Sequence, residues 1–196
     1  DLPVGGSYYV KEVKAPAGFV TTEEIKEFEF EYVGADTAEV AFDFTFENEA
    51  TTFEITKSDL TTGEELPGAK LKVTDEDGNT IDEWTSGREP HIIKELEVGK
   101  EYTLTETIPA DGYATAESIT FVVENTAEIQ KVEMKDDTTK VEISKVDMTD
   151  GSSEVEGAKL YILNEENEVI ESWTSGKKPH YVEKLPIGKY TLLEET

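Results

Sequence analysis

The 196-residue chain has no cysteine. That excludes disulfides, thiolate metal sites and cysteine nucleophiles. Histidine is nearly absent, with two residues, and basic residues are scarce: 18 Lys and Arg stand against 45 Asp and Glu, a formal net charge of −27. A chain so acidic lacks the basic patches that nucleic acid or an anionic membrane surface requires. No apolar run is long enough to cross a bilayer, and the chain shows neither a signal peptide nor an initiator methionine. The apolar share is low, at 36%. Yet the apolar residues alternate with polar ones, which a solvating acidic tail does not do. The chain opens on DLPVGG and stops at LLEET in mid-pattern, so it reads as a piece of a longer protein.

What the chain does have is repetition. EITKSDLTTGEELPGAKLKV (Glu54 to Val73) returns as EISKVDMTDGSSEVEGAKLYIL (Glu142 to Leu163), and EWTSGREPHIIKELEVGKEYTLTET returns as SWTSGKKPHYVEKLPIGKYTLLEET. Lys57 to Lys145 is a step of 88 positions. LPVGGSYYVKEVKAPAGF (Leu2 to Phe19) lines up with LEVGKEYTLTETIPADGY (Leu96 to Tyr113), the later part of the same unit. Three units follow: residues 1–50 as the C-terminal part of one, 51–138 as a complete one, and 139–196 as the N-terminal part of a third. The joints, EATT and DDTT, are short and lack the Gly/Ser richness of a flexible linker. The units are expected to follow one another closely, as a stiff rod.

Every local signal is strand or turn. AKLKV, YTLTE, ITFVV and KVEM carry the period-2 alternation, and DEDGN (Asp75 to Asn79) is a hairpin turn whose Asp-Gly takes positive φ readily. No segment shows a helical stripe. About seven short strands per unit point to an all-β protein of tandem β-sandwiches.

The alternation also places charge on apolar faces. In FEITK, Phe53, Ile55 and Lys57 share a face; in VEISK, Val141, Ile143 and Lys145 do. Glu106 follows Tyr102 and Leu104, Glu194 follows Tyr190 and Leu192, and Glu12 follows Tyr8 and Val10. In the last strand Asp136 follows Val132 and Met134, and in FTFEN Asn48 follows Phe44 and Phe46. Any one of these alone reads as a strand end reaching solvent, since Lys and Glu are rarely buried. Three on one unit, each with its expected copies in the partial units, point to one buried cluster, and burying ions costs several kcal/mol.

Apolar burial favours the neutral form of an amine and of a carboxyl. As a free amine Lys57 is a nucleophile, and as a free acid Asp136 is an electrophile; Glu106 beside them can carry protons. Holding the reactants together supplies an effective molarity on the order of 10⁵ M or more. The expected product is an amide between Lys57 and Asp136, formed with loss of water. Asp137 is the neighbouring alternative, but Asp136 shares the face of Val132 and Met134. In the partial units, Glu12 and Asn48 lack a lysine, and Lys145 and Glu194 lack an acceptor.

With these residues the chain resembles the collagen-adhesin B-type (Cna B-type) repeats of Gram-positive cell-wall-anchored surface proteins, also found in major pilins. The resemblance rests on I-x-K-x-D (Ile55, Lys57, Asp59; Ile143, Lys145, Asp147), on Leu66-Pro67-Gly68-Ala69, on the stretch around Glu106 and Glu12 (the E-box), and on V-x-M-x-D (Val132 to Asp136). It implies a prealbumin-like, reverse-immunoglobulin Greek-key sandwich. It also implies a self-formed Lys–Asn or Lys–Asp isopeptide bond assisted by a Glu. The family's E-box reads E-x-x-x-A-P-x-G-Y. The first unit keeps Ala15-Pro16 but ends in Phe19, and the complete unit has the reversed order Pro109-Ala110, which leaves its turn geometry open.

Other candidates weigh less. Trp84 and Trp173 in the WTSG stretches fit packing better than sugar stacking, and His91 and His180 read as loop residues in separate units. Asp75, Asp77 and Asn79 lack the full spacing and closing Glu of a calcium loop, so no metal and no cofactor is expected. The expectation is a structural stalk on the outside of a Gram-positive cell, not an enzyme beyond a single self-modification. Its partners would be neighbouring repeats and, through a domain outside this chain, a host extracellular matrix protein. The rival readings are a host-protein or glycan-binding module and the accessory repeats of a secreted enzyme.

Overall fold

Alternating side chains on an unbroken series of short extended segments leave this chain with strands alone; the described residues contain no helix. The computed structural model describes residues 2–34 and 40–195. A hairpin of β1 (Gly6–Lys11) and β2 (Ile25–Phe30) comes first. The complete repeat follows with β3 (Thr52–Asp59), β4 (Lys70–Thr74), β5 (Thr80–Thr85), β6 (His91–Lys94), β7 (Glu101–Ile108), β8 (Ile119–Val122) and β9 (Gln130–Asp136). The third stretch holds β10 (Lys140–Ile143), β11 (Lys159–Leu163), β12 (Val169–Thr174), β13 (His180–Glu183) and β14 (Thr191–Glu194).

The complete repeat is two sheets, ordered β6-β3-β9 and β5-β4-β7-β8. Phe53, Ile55, Val132 and Met134 of the first meet Leu71, Val73 and Leu104 of the second in one core. Its first and last strands are neighbours, and they run parallel from Phe53 opposite Gln130 to Asp59 opposite Asp136. The expected hairpin joins β4 to β5: Asp75 N–H donates to the Asn79 carbonyl at 3.0 Å, and Gly78 takes φ 82°. The reversed Pro109-Ala110 does not alter the E-box turn. Tyr113 N–H donates to the Ala110 carbonyl at 3.1 Å, as Phe19 N–H does to the Pro16 carbonyl at 3.2 Å.

Three expectations are corrected. The two histidines are not loop residues: His91 opens β6 and His180 opens β13. Each lies flat on a tryptophan from the opposite sheet, His91 on Trp84 with centroids 4.1 Å apart and His180 on Trp173 at 4.3 Å. Trp84 packs on the core, and an opposing planar ring covers its other surface where the sandwich edge would leave it wet.

The FTFEN strand is not formed. Phe44, Phe46 and Asn48 are half-buried and their neighbours exposed, but residues 40–49 join no ladder. The corresponding β9 is held by β3, and the described residues of 2–34 and 40–50 contain no counterpart of β3.

The third stretch repeats β3 to β7 as β10 to β14, with sheets β10-β13 and β12-β11-β14. Its expected buried face stays open, with Leu192 52% exposed, and β10 stops at Ile143, short of Lys145. Among the described residues nothing stands where β9 stands, so no ladder carries β10 further.

Candidate cross-link site

The parallel register sets Lys57 opposite Met134 and Asp59 opposite Asp136. Lys57 and Asp136 therefore sit on the same inward face, two positions out of step, and a long lysine side chain spans that offset. Its Nζ donates to Asp136 Oδ1 and lies 2.9 Å from Glu106 Oε1. Glu106 arrives from the other sheet, on β7 opposite Leu71, beside a register shift at Lys70/Leu71. All three groups are buried: Lys57 and Asp136 are 1% exposed and Glu106 4%.

The second oxygen of Glu106 is held from behind, since Oε2 accepts the Ala116 N–H at 2.7 Å. That bond leaves Oε1 directed at the lysine. Asp136 Oδ2 has no hydrogen-bond partner among the described residues. Burial pushes the Asp136 carboxyl up from its ordinary 3.8 to about 6, against the pull of the Lys57 amine and with a further push from the Glu106 carboxyl. The cluster is therefore an amine in contact with a carboxyl that takes up a proton readily, with a second carboxyl beside both. Asp137 lies outside it, on the surface beside Lys140 at 3.3 Å.

The stretches before and after β3–β9 each hold half of a similar arrangement. Asn48 Nδ2 donates to Glu12 Oε2 at 2.6 Å and to the Val20 carbonyl at 3.0 Å. Glu12 Oε2 also accepts the Thr22 N–H at 2.9 Å, the counterpart of the Ala116 bond. Lys145 Nζ meets Glu194 at 3.2 Å, with both side chains partly exposed.

Sequence reasoning missed two supports. Nothing in a residue's identity marks the backbone N–H groups of Ala116 and Thr22, and their only signal is that each follows its Glu by the same interval. The other is Asp59, whose carboxylate accepts from the Tyr113 hydroxyl at 2.6 Å and from the N–H groups of Thr61 and Thr62 at 2.7 and 3.0 Å. These bonds, Tyr113 first, hold its acid below the ordinary range. The Asp two residues past each lysine was the available clue.

A two-sheet sandwich whose first and last strands lie side by side, with a lysine and two carboxyl groups buried between them and the facing sheet, defines a prealbumin-like repeat domain. The SpaA prealbumin-like fold domain matches residues 51–138 and again 139–196, and the chain belongs to that family. Among solved structures, the chain is similar to the TIE protein of Bacillus anthracis at 31% identity over 97% of its length, with a TM-score of 0.56. It spans only 36% of that protein's chain. A streptococcal ancillary pilin is 18% identical over the whole chain and 67% of its own, with a TM-score of 0.41. BcpA, the major pilin subunit of Bacillus cereus, is 10% identical over 74% of this chain and 87% of its own, with a TM-score of 0.42. No curated protein matches the chain.

Proposed function

We propose that the chain is a run of stalk repeats from a surface protein of a Gram-positive bacterium, and that each complete repeat is closed by an isopeptide bond it forms itself. In this reading residues 1–50 are the C-terminal part of one repeat, 51–138 a whole repeat, and 139–196 the N-terminal part of a third. Family membership supports the repeat architecture. The buried contact of Lys57 with both Asp136 and Glu106 is the observation that carries the bond.

Glu106 takes a proton from the Lys57 ammonium, and the free Nζ attacks Cγ of the protonated Asp136. A new C–N bond forms, the Cγ–O bond breaks, and Glu106 returns a proton to the departing hydroxyl, which leaves as water. The ammonium gives up two protons: one goes into the water and the other to solvent. Burial, which pushes the Asp136 acid up to about 6, favours the protonated electrophile. Asn48 would lose ammonia in the same step, with a lysine supplied from upstream of Asp1. The site turns over once and is consumed, so it is no enzyme in the ordinary sense. Each tryptophan already stacks on a histidine, which argues against a sugar-binding platform.

The test is the intact mass of the denatured chain. It should be lighter than its sequence mass by one water, and Lys57→Ala should not be. Glu106→Gln should slow the appearance of the lighter species by about 10²-fold or more, as loss of a proton carrier does. Peptide mapping should place the link at Asp136. An unmodified parent mass would refute the bond.

A further inference from the structure

We infer that each repeat carries a docking surface for the repeat that follows it, made by the Gly-aromatic corner of its E-box loop, and that this surface fixes the orientation of consecutive repeats. The same contact occurs twice. At the first joint Gly18, with φ 84°, sits against Glu95; a Cβ on Gly18 would stand 2.6 Å from the Glu95 carbonyl oxygen. At the second, Gly112, with φ 83°, sits against Lys184, and its Cβ would meet the Lys184 carbonyl oxygen at the same 2.6 Å. Only glycine permits both the backbone conformation and the approach.

The receiving side is equally specific. Glu95 and Lys184 take φ 63° and 60°, and they are two of only three non-glycine residues with positive φ among the described residues. A backbone disposition this rare, found at both joints and on unlike side chains, indicates a shaped contact.

A threonine at the start of each following repeat closes the joint. Thr51 N–H donates to the Gly18 carbonyl at 3.0 Å, its Oγ1 donates to the Leu96 carbonyl at 2.7 Å, and its own carbonyl accepts the Glu95 N–H at 3.0 Å. Thr139 does the same with Gly112 at 2.9 Å, Leu185 at 2.7 Å and Lys184 at 3.0 Å. Antiparallel bridges Phe19–Ala50 and Tyr113–Thr138 lie alongside. One threonine thus ties the preceding repeat's loop to the following repeat's loop.

Side chains distinguish the two joints without altering them. At the second, Lys184 Nζ donates to the Tyr113 hydroxyl at 3.0 Å and the hydroxyl donates to Asp59, which connects the third stretch to the end of β3. At the first, the corresponding pair is Phe19 and Glu95, and Thr21 N–H donates to Asn125 Oδ1 across the joint at 2.9 Å. The shared geometry is therefore a property of the backbone and of the one threonine hydroxyl at each joint. The glycine and threonine contacts common to both joints involve none of Lys57, Glu106 and Asp136, so the joint stands whether or not the amide forms.

The absence of cysteine allows paired spin labels at chosen positions in the full chain. Glu83→Cys and Ser172→Cys, exposed on β5 and β12, report the second joint; Lys11→Cys with Glu83→Cys reports the first. Pulsed electron–electron resonance should give one narrow distance distribution for each pair. Gly112→Ala should widen the second at least about twofold, as free domain motion does, and leave the first narrow. Gly18→Ala should do the reverse. Thr139→Val, which keeps shape and loses the Leu185 bond, should also widen the second, and it decides the matter if Gly112→Ala loses its thermal unfolding transition. A broad distribution in the parent overturns the inference, as does an unchanged width in the folded variants. The intact mass of the same samples reads the cross-link separately.

Discussion

Lys57 lies where a charge is least welcome, 1% exposed and among apolar neighbours. An amide removes both that ammonium and the buried carboxyl of Asp136. Taking the lysine away instead isolates the carboxyl. In Lys57→Met the downward pull on Asp136 disappears, so its acid is held still further above 3.8 than beside the unreacted lysine, where it stands at about 6. The folded state then keeps a proton that the unfolded state releases. The carboxyl's contribution is therefore full below about pH 4 and is lost as pH rises through the folded value. The thermal midpoint of Lys57→Met should fall from about pH 4 to about pH 7, relative to Lys57→Met/Asp136→Asn, when both are followed by circular dichroism. Parallel curves for the two variants would show that Asp136 is not held above its ordinary range.

At the scale of the strand, what matters is that β3 and β9 are parallel neighbours. A pull on the two ends of the repeat enters at the start of β3 and leaves at the end of β9, shearing one along the other. A Lys57–Asp136 amide carries that pull across before it reaches residues 58–135, so the hydrogen-bonded ladder between them bears none of it. In single-molecule stretching of the full chain the parent should release no length from that segment. Lys57→Met should release roughly 260 Å when the repeat opens, the reach of that many extended residues. Equal extension in both would mean that no covalent link interrupts the path.

Across the whole molecule the three stretches differ in how much apolar surface they close over. The complete repeat seals its core between two sheets of three and four strands. Residues 139–196 bury Leu160, Ile162 and Val182 but leave Ile187, Leu192 and Leu193 exposed, and residues 2–34 and 40–50 bury only Ala15 among apolar side chains. Segments with few buried contacts open more often, and proteases cut what opens. Limited proteolysis of the full chain should therefore cut within 1–50 and 139–196 first, leaving a resistant product that mass spectrometry places at about residues 51–138. Early cleavage inside 51–138 would contradict this order of stability.

Alternation and repetition are properties of one stretch of chain, and they were legible before any partner was known. A period of two assigned Lys57, Glu106 and Asp136 to apolar faces, preferred Asp136 to its neighbour, and gave β4, β7, β8 and β9 nearly to their ends. The 88-position step showed that the motifs around Lys57 return around Lys145. Only the tertiary structure decided which strands meet. The parallel pairing of β3 with β9 brings together residues almost a whole repeat apart, and without a partner strand the same patterns at Phe44 and Lys145 form no ladder. The supports of the site and of the joints are largely backbone groups: the Ala116 N–H behind Glu106, and the Gly112 carbonyl before Thr139. Nearly every residue carries such groups, so residue type does not mark the ones in use, and only the packed chain selects them.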